Sequence, residues 1–580
     1  MVQHEIPSAR RVLELVWQTL SPERRYLWLA VIYGVGISLL SLATPIAVQV
    51  LINTVAYTGL TTPLAVLTIA LFGLLLTWAL LNALRVHLVE IFARRFYARC
   101  VAAIALRTVY AKNPFFADEG QTALFNRYFD ILGVQKAVPV LVIGGFTVLL
   151  QASVGFVLVS FYHPYFFVFV AVIVAAIWLI WLVWGASAIR TAVALSVSKH
   201  RTAAWIEGLG GSNGYFKSDR HVTFALHRTE EVTAAYVDAH KRHFRRHFAQ
   251  TVSFLVLYAA ANATLLGLGG WLVIQGQLTL GQLVAAELVL SAAFYGVAQL
   301  GTYLNYFYDL CAACEELSLF EAVDEEDFVS TLPPSRTSAE LVFDSVRGDA
   351  RGLPALLDFV IPSGTTVQAA ASLHGTQRLF TNLLKRFEEP RGGTLTLGGD
   401  DITATEVHVL RREIVVLDRP SMVEMTIRQY LALSRDGVSS SDMLNAIRDV
   451  GLAGVIESLE RGLDTSLSST GWPLAVSEIM RLKLAAAILS KPLILILNQL
   501  YDTVPDHMLR RAIEALKQAC GGTVVVFTNR AHDLGADSYL YLEPERQRLY
   551  TDYAAFEEAQ LGQEALTGSQ RTGANSFETV

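Results

Sequence analysis

The sequence predicts a polytopic α-helical membrane domain of six spans followed by an α/β domain in which a buried strand feeds a loop and a helix. Three observations carry this reading. Nearly all the long apolar runs of the 580-residue chain lie before Tyr308. The connections between them alternate between short stretches without Lys or Arg and long basic ones. Beyond residue 340, short apolar strands alternate with helical segments, the pattern of an α/β layer architecture. The domains are read as 1–321 (membrane), 322–340 (an acidic, then Pro- and Ser-rich linker), 341–560 (α/β) and a polar, disordered tail at 561–580.

A bilayer core requires about 20 apolar residues per helix. Residues 27–52, 63–88, 139–161, 165–187, 249–274 and 281–307 meet that requirement. Connections 53–62, 161–164 and 275–281 contain no Lys or Arg. The alternate segments carry Arg85, Arg94, Arg95, Arg99, Arg107, Lys112 and Arg127, then Arg190, Lys199, Arg201, Lys217, Arg220, Arg228, Lys241, Arg242, Arg245 and Arg246. The positive-inside bias therefore puts both termini and both long segments in the cytoplasm. A net charge of −6 excludes nucleic acid as the main partner, because phosphate binding needs a clustered cationic excess. The cysteines (Cys100, Cys311, Cys314 and Cys520) are too few and scattered for a disulfide framework. The N-terminus has charges within its only apolar stretch and no small-residue cleavage site, so no signal peptide is expected.

Each long cytoplasmic segment is helix-compatible and broken once by turn-forming residues, at 113–130 (NPFFADEGQTALFNRYFD) and 205–219 (WIEGLGGSNGYFKSD). Helices that extend below the membrane and meet at such breaks would present elbows to a soluble domain. These two segments resemble the coupling regions of ATP-binding-cassette (ABC) exporters. The run GGWLVIQGQLTLGQLVAAELVL at 269–290 is similar to the fifth-to-sixth helix junction of the type I secretion and bacteriocin group. The resemblance implies half of a domain-swapped dimer in a bacterial inner membrane, its partner a second copy or another ABC half-transporter. A periplasmic adaptor or other export-complex protein is a further partner it implies.

The soluble domain places each motif of such a cassette. An active member needs G-x-x-x-x-G-K-[ST] after a strand, so that backbone N–H groups, a Lys and a hydroxyl hold phosphates and magnesium. Here the stretch reads ASLHGTQR. Ala371 and Thr376 stand where glycines are wanted, His374 lies within the loop, Gln377 replaces the Lys, and Arg378 replaces the hydroxyl. The strand that should end in Asp-Glu ends in Asn498 and Gln499, and a neutral amide cannot serve as a general base. The signature LSGGQ becomes Leu474, Ala475, Val476, Ser477 and Glu478, whose carboxylate would stand near a γ-phosphate. Asp418 takes the place of the sensing glutamine, Asn529 that of the switch histidine, and Ala350 that of the adenine-stacking aromatic.

Phosphoryl transfer rests on positioning and charge stabilisation, and this residue set supplies neither. The expectation is a degenerate, ATPase-dead domain, not an enzyme, with no cofactor and no metal. In a heterodimer with an intact half, neither shared site would be complete.

Smaller features have plainer readings. Glu287, six residues past Gly281 in the last span, is a candidate intramembrane site because ionisable groups at membrane depth are costly; a water-facing position near the outer end is the alternative. His240, His243 and His247 share a helix face with metal-like spacing, but with Arg245 and Arg246 among them they are read as a solvated basic face. Cys311 and Cys314 are read as small packing residues. Asn82, Gln151 and Gln299 are read as interhelical hydrogen-bonding groups. The functional reading is a non-catalytic exporter-like subunit of an export or envelope-assembly complex. The alternatives are a membrane scaffold or regulatory dimer that moves no substrate, and a nucleotide-independent conduit using Glu287.

Overall fold

The computed structural model describes residues 7–41, 43–57, 61–112, 122–326, 336 and 338–561. The chain forms two compact units, Met1–Glu326 and Asp327–Val580.

Apart from turns and an isolated Ala111–Glu325 bridge, the described residues of the first unit are helical, as a lipid environment demands of backbone that must satisfy its own hydrogen bonds. Its helices are α1 (Ala9–Leu20), α2 (Arg24–Leu40), α3 (Ala43–Tyr57), α4 (Thr61–Val109), α5 (Asp130–Pro139), α6 (Phe146–Ser160), α7 (Pro164–Gly211), α8 (Asp219–Ile274) and α9 (Leu280–Ser318). Six stretches are long and apolar enough to cross a membrane: Ala9–Val48, Leu64–Val109, Leu124–Ser160, Pro164–Gly211, Asp219–Ile274 and Leu280–Ala322. The first apolar run is interrupted rather than straight. Helix α2 ends at Leu40, and Pro45 falls in the first turn of α3, where its missing N–H costs least.

Helices α7 and α8 contain 48 and 56 residues. At about 1.5 Å per residue they exceed twice the roughly 30 Å of a hydrocarbon core, so each continues well beyond the bilayer. The turn that returns α7 to α8 lies within the predicted break at 205–219. Residues 113–121, half of the other predicted break at 113–130, lie outside the described residues, as do most of the linker and the tail beyond Leu561.

Polar contacts lock the extensions together. Asp130, nearly inaccessible to solvent, receives Lys199 Nζ at 2.7 Å and pairs with His200 Nε2 at 2.6 Å. Arg127 meets the fully buried Glu316 at 2.6 Å. Between α5 and α6, the Pro139 break leads into a π-helical turn, Val140–Gly145, against which Tyr303 packs. A Cβ added at Gly144 would lie 2.5 Å from the Tyr303 ring, so only glycine fits there.

The second unit has two sheets. Strands Pro354–Ile361, Leu341–Asp349, Gly392–Leu397 and Asp400–Asp401 form the antiparallel one. The six-stranded sheet runs in the order Gln547–Tyr550, Ser538–Leu542, Thr366–Ala371, Thr523–Phe527, Ile494–Leu497 and Ile414–Leu417. Its central strands pair in parallel and read as unbroken apolar runs because both faces are covered. Helix α10 (His374–Leu384) leans on this sheet through Leu379, Phe380 and Leu383, with the Phe380 ring 5.3 Å from Phe343 and 5.7 Å from Phe527. That packing fixes where Gln377 points. A separate apolar cluster holds the helical segment between Ile427 and Ser490.

The Asp130 contact yields a stability prediction. Asp130→Ala strips the anion from a buried histidine and a half-buried lysine, and a broken buried pair costs about 3–5 kcal/mol. The purified chain should show a clearly lowered unfolding midpoint, whereas Arg242→Ala, at an exposed pair of 3.9 Å, should leave it within error.

Candidate functional site: the strand–loop–helix junction of the soluble unit

The junction is built from the buried strand Thr366–Ala371, residues Ser372 and Leu373, and α10. The helix already begins at His374, inside the stretch where a phosphate-holding loop would stay open. The Thr376 N–H donates to the Leu373 carbonyl at 3.0 Å, and the Ser372 N–H donates to Leu542 at 2.9 Å. Backbone donors that an open loop would turn toward a ligand are thus used within the chain. Gly375 sits directly on Ala350: a Cβ there would lie 2.9 Å from the Ala350 carbonyl oxygen. Arg378 borders an open cavity of about 530 Å³, along with Asp349, Arg351, Glu389 and Arg391.

Gln377 and Gln499 meet face to face. Gln377 Nε2 donates to Gln499 Oε1 at 3.0 Å, and Gln499 Nε2 donates to Gln377 Oε1 at 2.8 Å. This reciprocal pair reaches across the end of strand Thr523–Phe527, which lies between the strands leading to each residue. Both groups are neutral, and Gln377 is buried. Neighbouring Asn498 uses both halves of its amide: Nδ2 donates to the Asp418 carbonyl at 2.9 Å, while Oδ1 accepts from the Leu500 N–H at 3.1 Å. A carboxylate could make only the second contact. The Asp418 side chain pairs with Lys385 at 3.0 Å. Burial pushes the Lys385 ammonium below the usual lysine range, and Asp418 opposes that shift.

Residues 474–478 open the helix Val476–Ser490. Glu478 turns back onto its own helix, accepting from the Ala475 N–H at 2.8 Å. Its charge therefore offsets the positive helix end rather than projecting outward. Leu474 is buried, Ser477 is half-buried, and Val476 and Trp472 are exposed. The Asn529 N–H donates to Asp502 Oδ2 at 3.0 Å, and Thr528 donates to Asp502 Oδ1 at 2.5 Å. The structure thus brings Gln377, Gln499, Asn498 and Asp418 into one neighbourhood. Sequence reasoning missed Lys385 and Asp502 as partners; the only readable hint was that two facing positions are both Gln.

In the membrane unit, Glu287 Oε1 accepts from Ser291 at 2.7 Å, and the Ser291 hydroxyl lies 3.4 Å from Asn262 Oδ1. Glu287 Oε2 is buried without a hydrogen-bond partner among the described residues. The histidines are not a solvated face. His243 is buried and meets Thr191 at 3.1 Å, and the His243 and His247 rings pack edge-on to Tyr308; only His240 is exposed. Helical periodicity turns 243 and 247 inward while 241 and 245 turn outward. Cys311 and Cys314 are buried packing residues, and Asn82 bonds Arg85 within its own helix. No group of three or more His, Cys, Asp or Glu among the described residues could hold a metal.

The amide pair makes a measurable claim. Gln377→Leu leaves the Gln499 amide unpaired and should cost about 1–3 kcal/mol, while Gln377→Leu with Gln499→Leu should recover much of that loss. Chemical denaturation of the single and double variants tests this: additive losses would mean that the pair is not coupled.

Comparison with known proteins fits this geometry. No family model matches the chain. The ABC transporter ATP-binding protein YfiC of Bacillus subtilis (strain 168) is 25% identical over 349 residues, 57% of each chain. YknU of the same organism is 28% identical over 297 residues, 49% of this chain and 50% of its own. The leukotoxin translocation ATP-binding protein LktB of Mannheimia glucosida is 25% identical over 287 residues, 48% of this chain and 40% of its own. The chain thus spans about half the length of the curated relatives it matches. A bacterial Atm1-family ABC exporter solved with ATP bound superposes with a TM-score of 0.76 at 18% identity, over 95% of this chain and 98% of that one. The fold is therefore that of an ABC exporter half, with six candidate membrane spans followed by an ABC-cassette-like α/β region.

Proposed function

We propose that the chain is a non-catalytic, exporter-like subunit of a membrane export or envelope-assembly complex, with a soluble unit that neither binds nor hydrolyses ATP in the usual way. The observation that carries this reading is the Gln377–Gln499 pair. The positions where a phosphate-binding Lys and a water-polarising Glu are expected hold two neutral amides that satisfy each other. The early start of α10 and the contact of Gly375 with Ala350 support the same reading, since a nucleotide would have to displace both. Similarity to LktB, named for leukotoxin translocation, supports export as the setting. Under this proposal the chain lies in a bacterial inner membrane with both termini cytoplasmic. It works as a homodimer or beside another ABC half-transporter, and energy comes from a partner.

The experiment is magnesium-ATP binding and hydrolysis by the purified chain in nanodiscs. No saturable binding in the millimolar range and no hydrolysis above empty nanodiscs are expected; activity lost on Gln499→Leu would overturn the proposal. Affinity purification from native membranes tests the subunit reading: an intact ABC half or a periplasmic adaptor should co-purify in stoichiometric amount, and recovery of the chain alone would favour the scaffold.

One observation favours a second reading, passage through the membrane unit without nucleotide. It is the unpartnered oxygen of Glu287, set between α8 and α9 beside Asn262 and Ser291. On this reading Glu287→Gln abolishes transport while the protein still assembles, and unchanged flux removes it.

A further inference from the structure

We propose that α7 and α8 together form a binding site for the headgroup of an anionic phospholipid, in the leaflet on the side of the long helical extensions. The two helices run antiparallel, with Thr191 meeting His243 at 3.1 Å and Trp205 donating to Thr229 at 2.9 Å. This register sets Arg190 of α7 at the level of Phe244 and Arg245 of α8.

Both helices change character at that level. On α7, the exposed apolar stripe of Trp178, Leu179, Leu182 and Val183 gives way to exposed Arg190. On α8, running the other way, the exposed stripe of Val256, Leu255, Val252, Phe248 and Phe244 gives way to Arg245, Arg242 and Lys241. Two apolar faces that end together mark the boundary between acyl chains and headgroups.

Several cations at this boundary have no carboxylate partner among the described residues, as is also true of Arg201 and Arg220 further along the extensions, but at the boundary they adjoin the exposed apolar stripes of both helices. Arg127 and Lys199 meet carboxylates at 2.6 and 2.7 Å, and Arg242 has Asp238 at 3.9 Å. Arg190, Lys241, Arg245 and Arg246 have no carboxylate within ion-pair distance among the described residues. Arg246 lies 6.0 Å over the Trp184 ring, and the Phe244 and Phe248 rings stack at 5.4 Å. Guanidinium groups bind phosphate oxygens in a bidentate fork, and Trp and Phe beside them suit the interfacial belt. Uncompensated positive charge joined to an exposed apolar wall is complementary to one occupant: a lipid with a negative phosphodiester head and two acyl chains.

The test uses the full chain in micelles containing equal phosphatidylglycerol and phosphatidylcholine, with retained lipids counted by native mass spectrometry. Preferential retention of phosphatidylglycerol is expected, and the R190Q/R245Q/R246Q variant should weaken it at least fivefold, equivalent to about 1 kcal/mol over the three cations together. R190K/R245K/R246K should retain part of the preference, and Arg220→Gln, at the distal end of α8, should leave it almost unchanged; both serve as folded references. Equal retention of the two lipids, or a preference unaffected by the glutamine variant, would overturn the site. Displacement of the lipid by equimolar inorganic phosphate would also overturn it in favour of a free-phosphate site. Efficient cross-linking of Phe248→Cys to the same residue of a second copy in native membranes would show that protein covers the face, and would overturn it too.

Discussion

The reciprocal pair of amide hydrogen bonds between Gln377 and Gln499 is the contact on which the soluble unit's centre depends. It joins the first turn of α10 to the end of strand Ile494–Leu497, across the intervening strand Thr523–Phe527. The two groups could each have bonded water at a surface. Gln377 is buried and needs a partner, because an unsatisfied amide in low dielectric costs more than a satisfied one contributes, and the half-buried Gln499 supplies it. Asn498 extends the arrangement by tying Asp418 to the same strand end, and Lys385 meets the Asp418 carboxylate from the far end of α10. A run of polar side chains is thus consumed in holding three chain segments together.

The membrane unit follows a different constraint. Its helices must satisfy their backbones internally, so length is set by hydropathy and by how far each rod projects into water. Beyond the predicted spans, apolar packing around Phe92, Phe96, Ile131 and Cys314 is joined by specific ionic contacts. Asp130 with Lys199 and His200, and Arg127 with Glu316, join segments distant in sequence. Buried ion pairs are better at selecting one arrangement than at adding net stability, which suits rods that must keep register with one another.

Much of this was legible in the sequence. Spans beginning near Pro164 and Leu280 and ending at Ile274 stand out because apolar runs of that length have few other uses. The first span was read as continuous over 27–52 because counting apolar residues ignores Pro45, where the chain restarts as α3. In the soluble unit the strand and helix punctuation was legible, with one buried strand ending at Ala371 ahead of α10 and another ending at Leu497. What the side chains there do was not. Glu478 was expected to project its charge, yet the nearest unsatisfied donor was the Ala475 N–H of its own helix. His243 was expected in solvent because its neighbours are cationic, but a 3.6-residue period separates adjacent residues onto different faces. Pairing across the fold, as between Gln377 and Gln499, has no local trace.

Asn498 shows how a side chain's hydrogen bonds restrict what can replace it. Its Nδ2 donates to the Asp418 carbonyl, a task that aspartate cannot perform. A lysine arriving at 377 would likewise set an ammonium against the donor edge of Gln499, while a glutamate arriving at 499 would set a carboxylate against the acceptor edge of Gln377. Each step taken alone passes through a less stable protein, so only simultaneous replacement would be neutral. Side chains at this junction serve as part of the skeleton, so the fold itself resists single replacements among them.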